Sequence, residues 1–147
     1  IFSLNNEKHH EIRSVINHLT ENTKSYQLIK SVLEGSSKAV YQGKIFVNSD
    51  AQKTDGYQLS KAILMNKESE FNAKPELEIY ADDVKCSHGS TVSKLDDEQI
   101  YYFNSRGIDT EIAQKILKKA FIVEIIESIQ DDQLKEYSNL LIESLLS

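Results

Sequence analysis

The chain has one cysteine, Cys86, and a histidine, His88, two residues beyond it, inside the stretch "EIYADDVKCSHGSTVSKLDDEQI". On an extended strand, residues two apart leave the same face with their Cα atoms about 6.5–7 Å apart. A thiol and an imidazole so placed can share one metal ion, or set a nucleophile beside a base. Two donors leave such a site incomplete, because zinc takes three or four protein ligands and iron–sulfur clusters usually take four. A cluster or metal at Cys86 and His88 therefore needs ligands from another chain. The plainer alternative is a small core cysteine next to a hydrogen-bonded edge histidine.

Other chemistry-bearing groups are weaker. His9, His10 and His18 could bind a metal, but surface histidines in a polar segment are commoner. Asp82 and Asp83 could act as an acid–base pair, against the commoner solvated turn. Glu124, inside the apolar "AFIVEII", either reaches out to water or pairs with a partner's base. There is no glycine-rich phosphate loop and no nucleophile elbow, so the chain alone does not read as an enzyme.

The elements that must position Cys86 and His88 follow from periodicity. In "KAVYQGKIFVNSD", Ala39, Tyr41, Gly43, Ile45 and Val47 share one parity, which predicts a strand with a buried face. "YQLSKAILMN" and "KPELEIYADD" are further short apolar runs. Leu77 and Ile79 share one parity while Val84, Cys86 and His88 share the other, so the chain must turn a corner near Ala81–Asp83. Around Ile12 to Leu19 the pattern fits strand and helix equally well.

Short strands with polar corners and few hairpin turns favour a β-solenoid over a sandwich. The apolar runs lie roughly 15–25 residues apart, near the lower range of solenoid repeats.

Beyond Ser93 the sequence is helical. Acidic residues open "KLDDEQIYYFNSRGI" and Gly107 closes it. A second helix begins at Asp109 or Thr110, with Ile112, Ile116, Ala120 and Val123 as its expected apolar stripe. A third is capped by Asp131 or Asp132. The expected division is residues 1–93 as solenoid and 94–147 as a helical domain.

At 147 residues and 39% hydrophobic content, the chain fits one domain, or one domain with a helical appendage. A net charge of −6 with pI about 5.2 argues against nucleic acid as partner. No run is long enough to cross a bilayer, so no membrane partner is expected. A single cysteine makes a reducing, cytoplasmic setting the simpler one. The chain starts at Ile1 without a charged-then-apolar leader, and reads as a piece of a longer protein with an exposed N-terminal edge.

At "TDGYQLSKAILM", "KPELEIYADDVKCSHGSTVSKLDDEQIYYFNSRGI" and "AQKILKKAF" the chain resembles the SufB/SufD family of iron–sulfur cluster assembly proteins. The match runs from about Val40 to about Ile129. Ser87 and Gly89, where SufB-type chains carry an acidic version of the motif, place it on the SufD side. The resemblance implies the end of a right-handed parallel β-helix followed by a small helical domain. It implies a SufB-like subunit at the β-helix end and a SufC-like ATPase at the helical domain. It also implies a transient iron–sulfur cluster shared with the partner, with none expected in the isolated fragment.

The family motif falls on Lys85, Cys86, Ser87, His88 and Gly89, which makes His88 the leading cluster ligand or assembly-site base and Cys86 the second. Arg106, Ala120, Phe121 and Glu124 become the expected partner-binding residues, the alternatives being an Arg106 that bonds a helix C-terminus and an "AFIVEII" segment that packs against the β-helix. The chain would then be a scaffold without turnover of its own. Three rivals stand beside this: a carbohydrate-active β-helix enzyme, a purely structural module, and a mononuclear metal protein using the His9/His10 group. Self-association of the fragment through an exposed solenoid edge is a further expectation.

Overall fold

The computed structural model describes residues 1–146; Ser147, the last residue of the expected helical segment, lies outside them. The described chain runs β1 (Phe2–Leu4), β2 (His9–His18), β3 (Lys24–Leu33), β4 (Lys38–Val47), β5 (Thr54–Leu64), β6 (Glu70–Ile79) and β7 (Val84–Ser93). Helices α1 (Asp97–Ser105), α2 (Thr110–Glu127) and α3 (Asp132–Leu146) follow. Odd-numbered strands form one sheet in the order β1-β3-β5-β7 and even-numbered strands the other, β2-β4-β6. Every strand pair is parallel.

This is a β-solenoid that alternates between two sheets. Phe2 lies beside Ser31, Lys24 beside Asp55 and Thr54 beside Val84, so one turn takes about 30 residues. The shorter spacing read from the sequence is the distance from one sheet to the other, half a turn. The ambiguous Ile12–Leu19 segment is β2, except for Leu19, which follows it.

Corners stack as the strands do. Asn22 and Lys53 adopt φ of 58–59° at one corner, where Asn22 N–H donates to the Gln52 carbonyl and Lys53 N–H to that of Asp83. At the other corner Gly35 (φ 65°) follows Asn6 (φ 58°), and the amide of Asn66 accepts from Gly35 N–H at 2.8 Å. The parity change near Ala81–Asp83 is the corner between β6 and β7.

The lumen is not uniformly apolar. Near one corner Phe2, Leu4, Leu33, Ala39, Tyr41, Ala62 and Phe71 form a core. Near the other, Ile45, Val47, Ala51 and Ala81 form a second, with Leu77, Val84 and Cys86 against it. The ladder columns between them are polar or small: Gln27–Gln58–His88 in one sheet and Ser14–Gly43–Pro75 in the other.

The helices begin with the chemistry their sequence carries. Asp96 accepts from Glu98 N–H at 2.9 Å, and Asp131 from Leu134 N–H at 2.8 Å. Gly107 at φ 80° ends α1. Asp109 is the N-cap of α2 by position, without a side-chain bond.

The expected stripe of α2 is corrected. Ile112 and Ile116 are 51% and 40% exposed and Ala120 is exposed, while Ala113, Lys118, Ile122 and Ile126 are the buried residues. The helix is apolar on several sides, and the surface it meets decides which side is covered. That surface is the outer face of β3: Val32 packs with Ile122, Ile126 and Ile142. Two lysines complete the seam. Lys30, only 3% exposed, donates to the Phe121 carbonyl and to Glu124, both at 2.5 Å, and Lys118 reaches Glu34 at 2.6 Å.

Candidate functional site

Strand β7 is the last of its sheet and has no neighbour on its far side among the described residues. Its alternation sends Val84, Cys86 and His88 toward the lumen and Lys85 and Ser87 outward. The sequence-predicted pair is thus on one face, but in two environments. Cys86 is half-buried against the Ile45/Val47 core, and its sulfur sits 3.3 Å from where a Cβ on Gly56 would be. Burial pushes the thiol pKa up, the charge of Asp55 adds to this, and a backbone hydrogen bond from Gly56 opposes it. The thiol is therefore protonated near neutral pH, and a thiolate ligand forms there only when a cation displaces the proton. His88, one step further along β7, is exposed at the open end of the solenoid.

Beneath His88 lies the polar band. Gln58, its ladder neighbour, is fully buried and donates through Nε2 to the Tyr41 hydroxyl at 2.8 Å. The Tyr41 hydroxyl donates to Gln27 Oε1 at 3.3 Å, and Ser14 Oγ donates to the same oxygen at 2.9 Å. Gly43 makes the room, since a Cβ there would meet Gln58 Nε2 at 1.7 Å and the Tyr41 hydroxyl at 2.4 Å. Two atoms of the band, Gln58 Oε1 and Gln27 Nε2, have no hydrogen-bond partner among the described residues. A buried polar atom left unpaired costs about 1–3 kcal/mol.

The remaining sequence-predicted groups are not brought together. His9 and His10 open β2, where His10 packs edge-on against Phe2, while His18 closes the same strand. Ten residues of extended chain put about 30 Å between its ends, so the His9/His10/His18 group is no common metal site. His18 is instead buried between Thr23 Oγ1 (2.7 Å) and Ser25 Oγ (2.8 Å), and burial lowers its pKa. Among the described residues no three His, Cys, Asp or Glu side chains gather to hold a metal. Asp82 and Asp83 lie at the β6–β7 corner, where Asp83 N–H donates to Gln52 Oε1.

Of the expected partner-binding residues, Glu124 pairs with Lys30 of its own chain, and Phe121 lies under the same ammonium at 4.8 Å. Arg106 is exposed, with its guanidinium 5.2 Å from the Tyr102 ring. A surface hollow of about 350 Å³ borders Lys85 at the corner and takes in neither Cys86 nor His88. Sequence reasoning missed the glutamine column and the two docking lysines. The column had a signal: Gln27, Gln58 and His88 recur at the length of one solenoid turn.

Comparison with known proteins fits this architecture. Residues 1–121 match the family model described as SUF system FeS cluster assembly, SufBD core domain. The chain is 48% identical over 112 residues to the iron–sulfur cluster assembly protein SufD of Escherichia coli (strain K12), covering 76% of this chain and 26% of that protein. It is 40% identical over 123 residues to the chloroplastic protein ABCI7 of Arabidopsis thaliana, covering 83% of this chain and 26% of that one. A SufBD family protein of Synechocystis is 40% identical over 103 residues, 70% of this chain and 23% of that protein. The chain thus spans about a quarter of the length of these relatives. A parallel solenoid with a two-donor open edge, matched by this family over most of its length, belongs to the SufBD core family of the SUF iron–sulfur cluster assembly system and is of the SufD type.

Proposed function

We propose that this chain works as a non-catalytic scaffold segment in SUF cluster assembly. Its open last rung meets a SufB-like subunit, and His88, with Cys86 behind it, contributes donors to a nascent cluster that the partner completes. The observation that carries this reading is the incomplete donor pair on a strand whose far edge is open among the described residues. Two donors cannot hold a cluster alone, and an open strand ladder is a surface that another chain can extend. The cluster is cargo here, assembled at the interface and handed on.

The helical segment serves as the docking element for a SufC-like ATPase. Support comes from its uncovered apolar residues, Ile112 and Ile116 on α2 and Tyr137, Leu140 and Leu141 on α3. The seam of Val32 with Ile122 and Ile126, clamped by Lys30–Glu124 and Lys118–Glu34, ties α2 to the sheet that ends in β7. A pull on the helices is thereby passed to the donor edge, as an ATP-driven opening of the subunit interface requires. No helix among the described residues is long and apolar enough to cross a membrane.

The test uses the full-length parent purified with its SufB- and SufC-like partners. Iron and acid-labile sulfide are measured per complex for wild type and His88→Ala, with subunit stoichiometry checked in both. Cluster lost from an intact complex is the expected result. Cluster retained would leave a purely structural module as the reading, with the whole site on the partner.

A further inference from the structure

We infer that Gln58 is a positioning residue for His88, its buried amide oxygen accepting a ring N–H and turning the other ring nitrogen toward the partner's side. The inference rests on the assembly-site reading of His88 and adds the residue that aims it.

Three observations carry it. Gln58 is fully buried, yet its Oε1 has no hydrogen-bond partner, an unusual state for an acceptor shut away from water. Turning the amide over does not relieve this, because only one of its ends can meet the Tyr41 hydroxyl, here Nε2 at 2.8 Å in a space that only glycine at position 43 leaves open, and the other end stays unpaired. And His88 is the residue beside Gln58 in the β5–β7 ladder, on the same lumen-facing column. The unpaired acceptor therefore sits one strand below the imidazole that the open edge exposes.

An imidazole offers one N–H and one lone pair in its neutral form, and the bond made by one nitrogen decides what the other can ligate. When a partner strand covers the open rung, His88 is enclosed and loses its water. Donation to Gln58 Oε1 then satisfies both groups, fixes one tautomer and leaves the second nitrogen as a lone-pair donor. The rival partner for Gln58 Oε1 is Gln27 Nε2, its other neighbour in the column and likewise unpaired. If those two amides close on each other, His88 gains nothing from Gln58.

The experiment compares wild type, Gln58→Met, Gln58→Glu, Tyr41→Phe, Gln27→Met and His88→Ala in the full-length parent purified with its partner subunits. Iron and acid-labile sulfide are read per complex, with subunit stoichiometry and thermal unfolding as controls. Gln58→Met keeps volume and removes the acceptor; the expected loss of cluster is about tenfold, the usual consequence of removing a group that orients a metal-binding histidine. Gln58→Glu accepts from both the Tyr41 hydroxyl and the imidazole, so it restores most of the cluster, which a packing role for Gln58 would not explain.

Wild-type cluster in Gln58→Met, or Gln58→Glu as poor as Gln58→Met, overturns the inference. So does Gln27→Met as damaging as Gln58→Met. If Gln58→Met does not assemble, Tyr41→Phe decides: it frees the amide to turn, and unchanged cluster there overturns the proposal. His88→Ala separates the two layers. Cluster retained in His88→Ala removes the assembly-site reading itself, whereas cluster lost there but kept in Gln58→Met removes only the role of Gln58.

Discussion

Strands β3 and β5 are each two regions in one. Their C-terminal halves carry Val32 and Leu33, then Ile63 and Leu64, and on β3 the outer face there is roofed by α2. Their N-terminal halves carry Ser25 and Gln27, then Gly56 and Gln58, with Tyr26 and Tyr57 stacked in the open on the outer face. The same backbone ladder supports both. The half roofed by helix spends its side chains on packing, and the other half holds polar groups in a lumen that ends at Cys86 and His88. Stability and donor chemistry are therefore separable along the strand, and substitutions should act on one without the other.

The largest effect is expected at the roofed half. Ile122, 1% exposed, fills the seam between α2 and Val32. Ile122→Ala removes its buried methyl groups and leaves a cavity, a loss of about 2–4 kcal/mol. Urea unfolding should be followed by both near- and far-ultraviolet circular dichroism, because a solenoid with a docked helical layer need not unfold in one step. A change below about 1 kcal/mol would mean that α2 adds little to the solenoid's stability.

The polar half has one position of comparable sensitivity. Gly43→Ala places a methyl where Gln58 Nε2 and the Tyr41 hydroxyl already are, and overpacking of this kind costs about 1–3 kcal/mol. If the variant is as stable as wild type, the Tyr41–Gln58 contact is loose and the polar band is no fixed scaffold.

The ion pair at the seam should matter less than the packing around it. Removing one partner of a buried pair is costly because the other charge is left without compensation, but Glu124 is half exposed, so solvent takes part of its place. Glu124→Ala is expected to cost about 1–2 kcal/mol, and Lys30→Met combined with Glu124→Leu to recover most of it. A double variant as unstable as the single one would show that the Lys30 bond to the Phe121 carbonyl matters more than the charge.

These contrasts also show what the sequence could and could not tell. The β4 parity from Ala39 to Val47 was legible, because alternation under a two-sided sheet records burial directly. The face of α2 was not. Its run from Ala120 to Ile126 is apolar almost all round, and only contact with Val32 and Lys30 decides that Ile122 and Ile126 go inside while Ile112 and Ile116 stay out. Glu124 was legible as anomalous, but its partner lies 94 residues away, beyond any local pattern. Cys86 and His88 were legible as a same-face pair. That one is half-buried and the other open follows from where each falls along the last strand, Cys86 against the Ile45/Val47 core and His88 beyond it, a fact of tertiary packing.

His18 gives a smaller, pH-dependent effect. Burial lowers its pKa below the usual 6.5, so the unfolded chain takes up the proton first. The stability it leaves intact above pH 6.5 is therefore lost as pH falls through that value toward the lower folded-state pKa. His18→Gln, which can still bond Thr23 and Ser25, should flatten this part of the stability profile. An unchanged acid limb would assign the loss to carboxylates such as Glu124, whose pKa is held down by Lys30 and which release stability only at lower pH.

The smallest effect on stability is expected at the residue with the largest proposed role. The His88 imidazole is exposed on an edge strand and has no side-chain hydrogen bond among the described residues, so His88→Ala should change unfolding free energy by no more than about 0.5 kcal/mol. Cys86→Ala, which removes a half-buried sulfur from the Ile45/Val47 core, should cost more, about 1 kcal/mol. The order matters because a residue kept for packing shows its value in the isolated chain, whereas a donor that only a partner completes does not. If His88→Ala destabilises the isolated chain by more than Cys86→Ala does, the imidazole is already bonded in the lumen without a partner. The open end would then be a finished surface, and the division between a packed half and a chemical half would fail at the position where it is drawn most sharply.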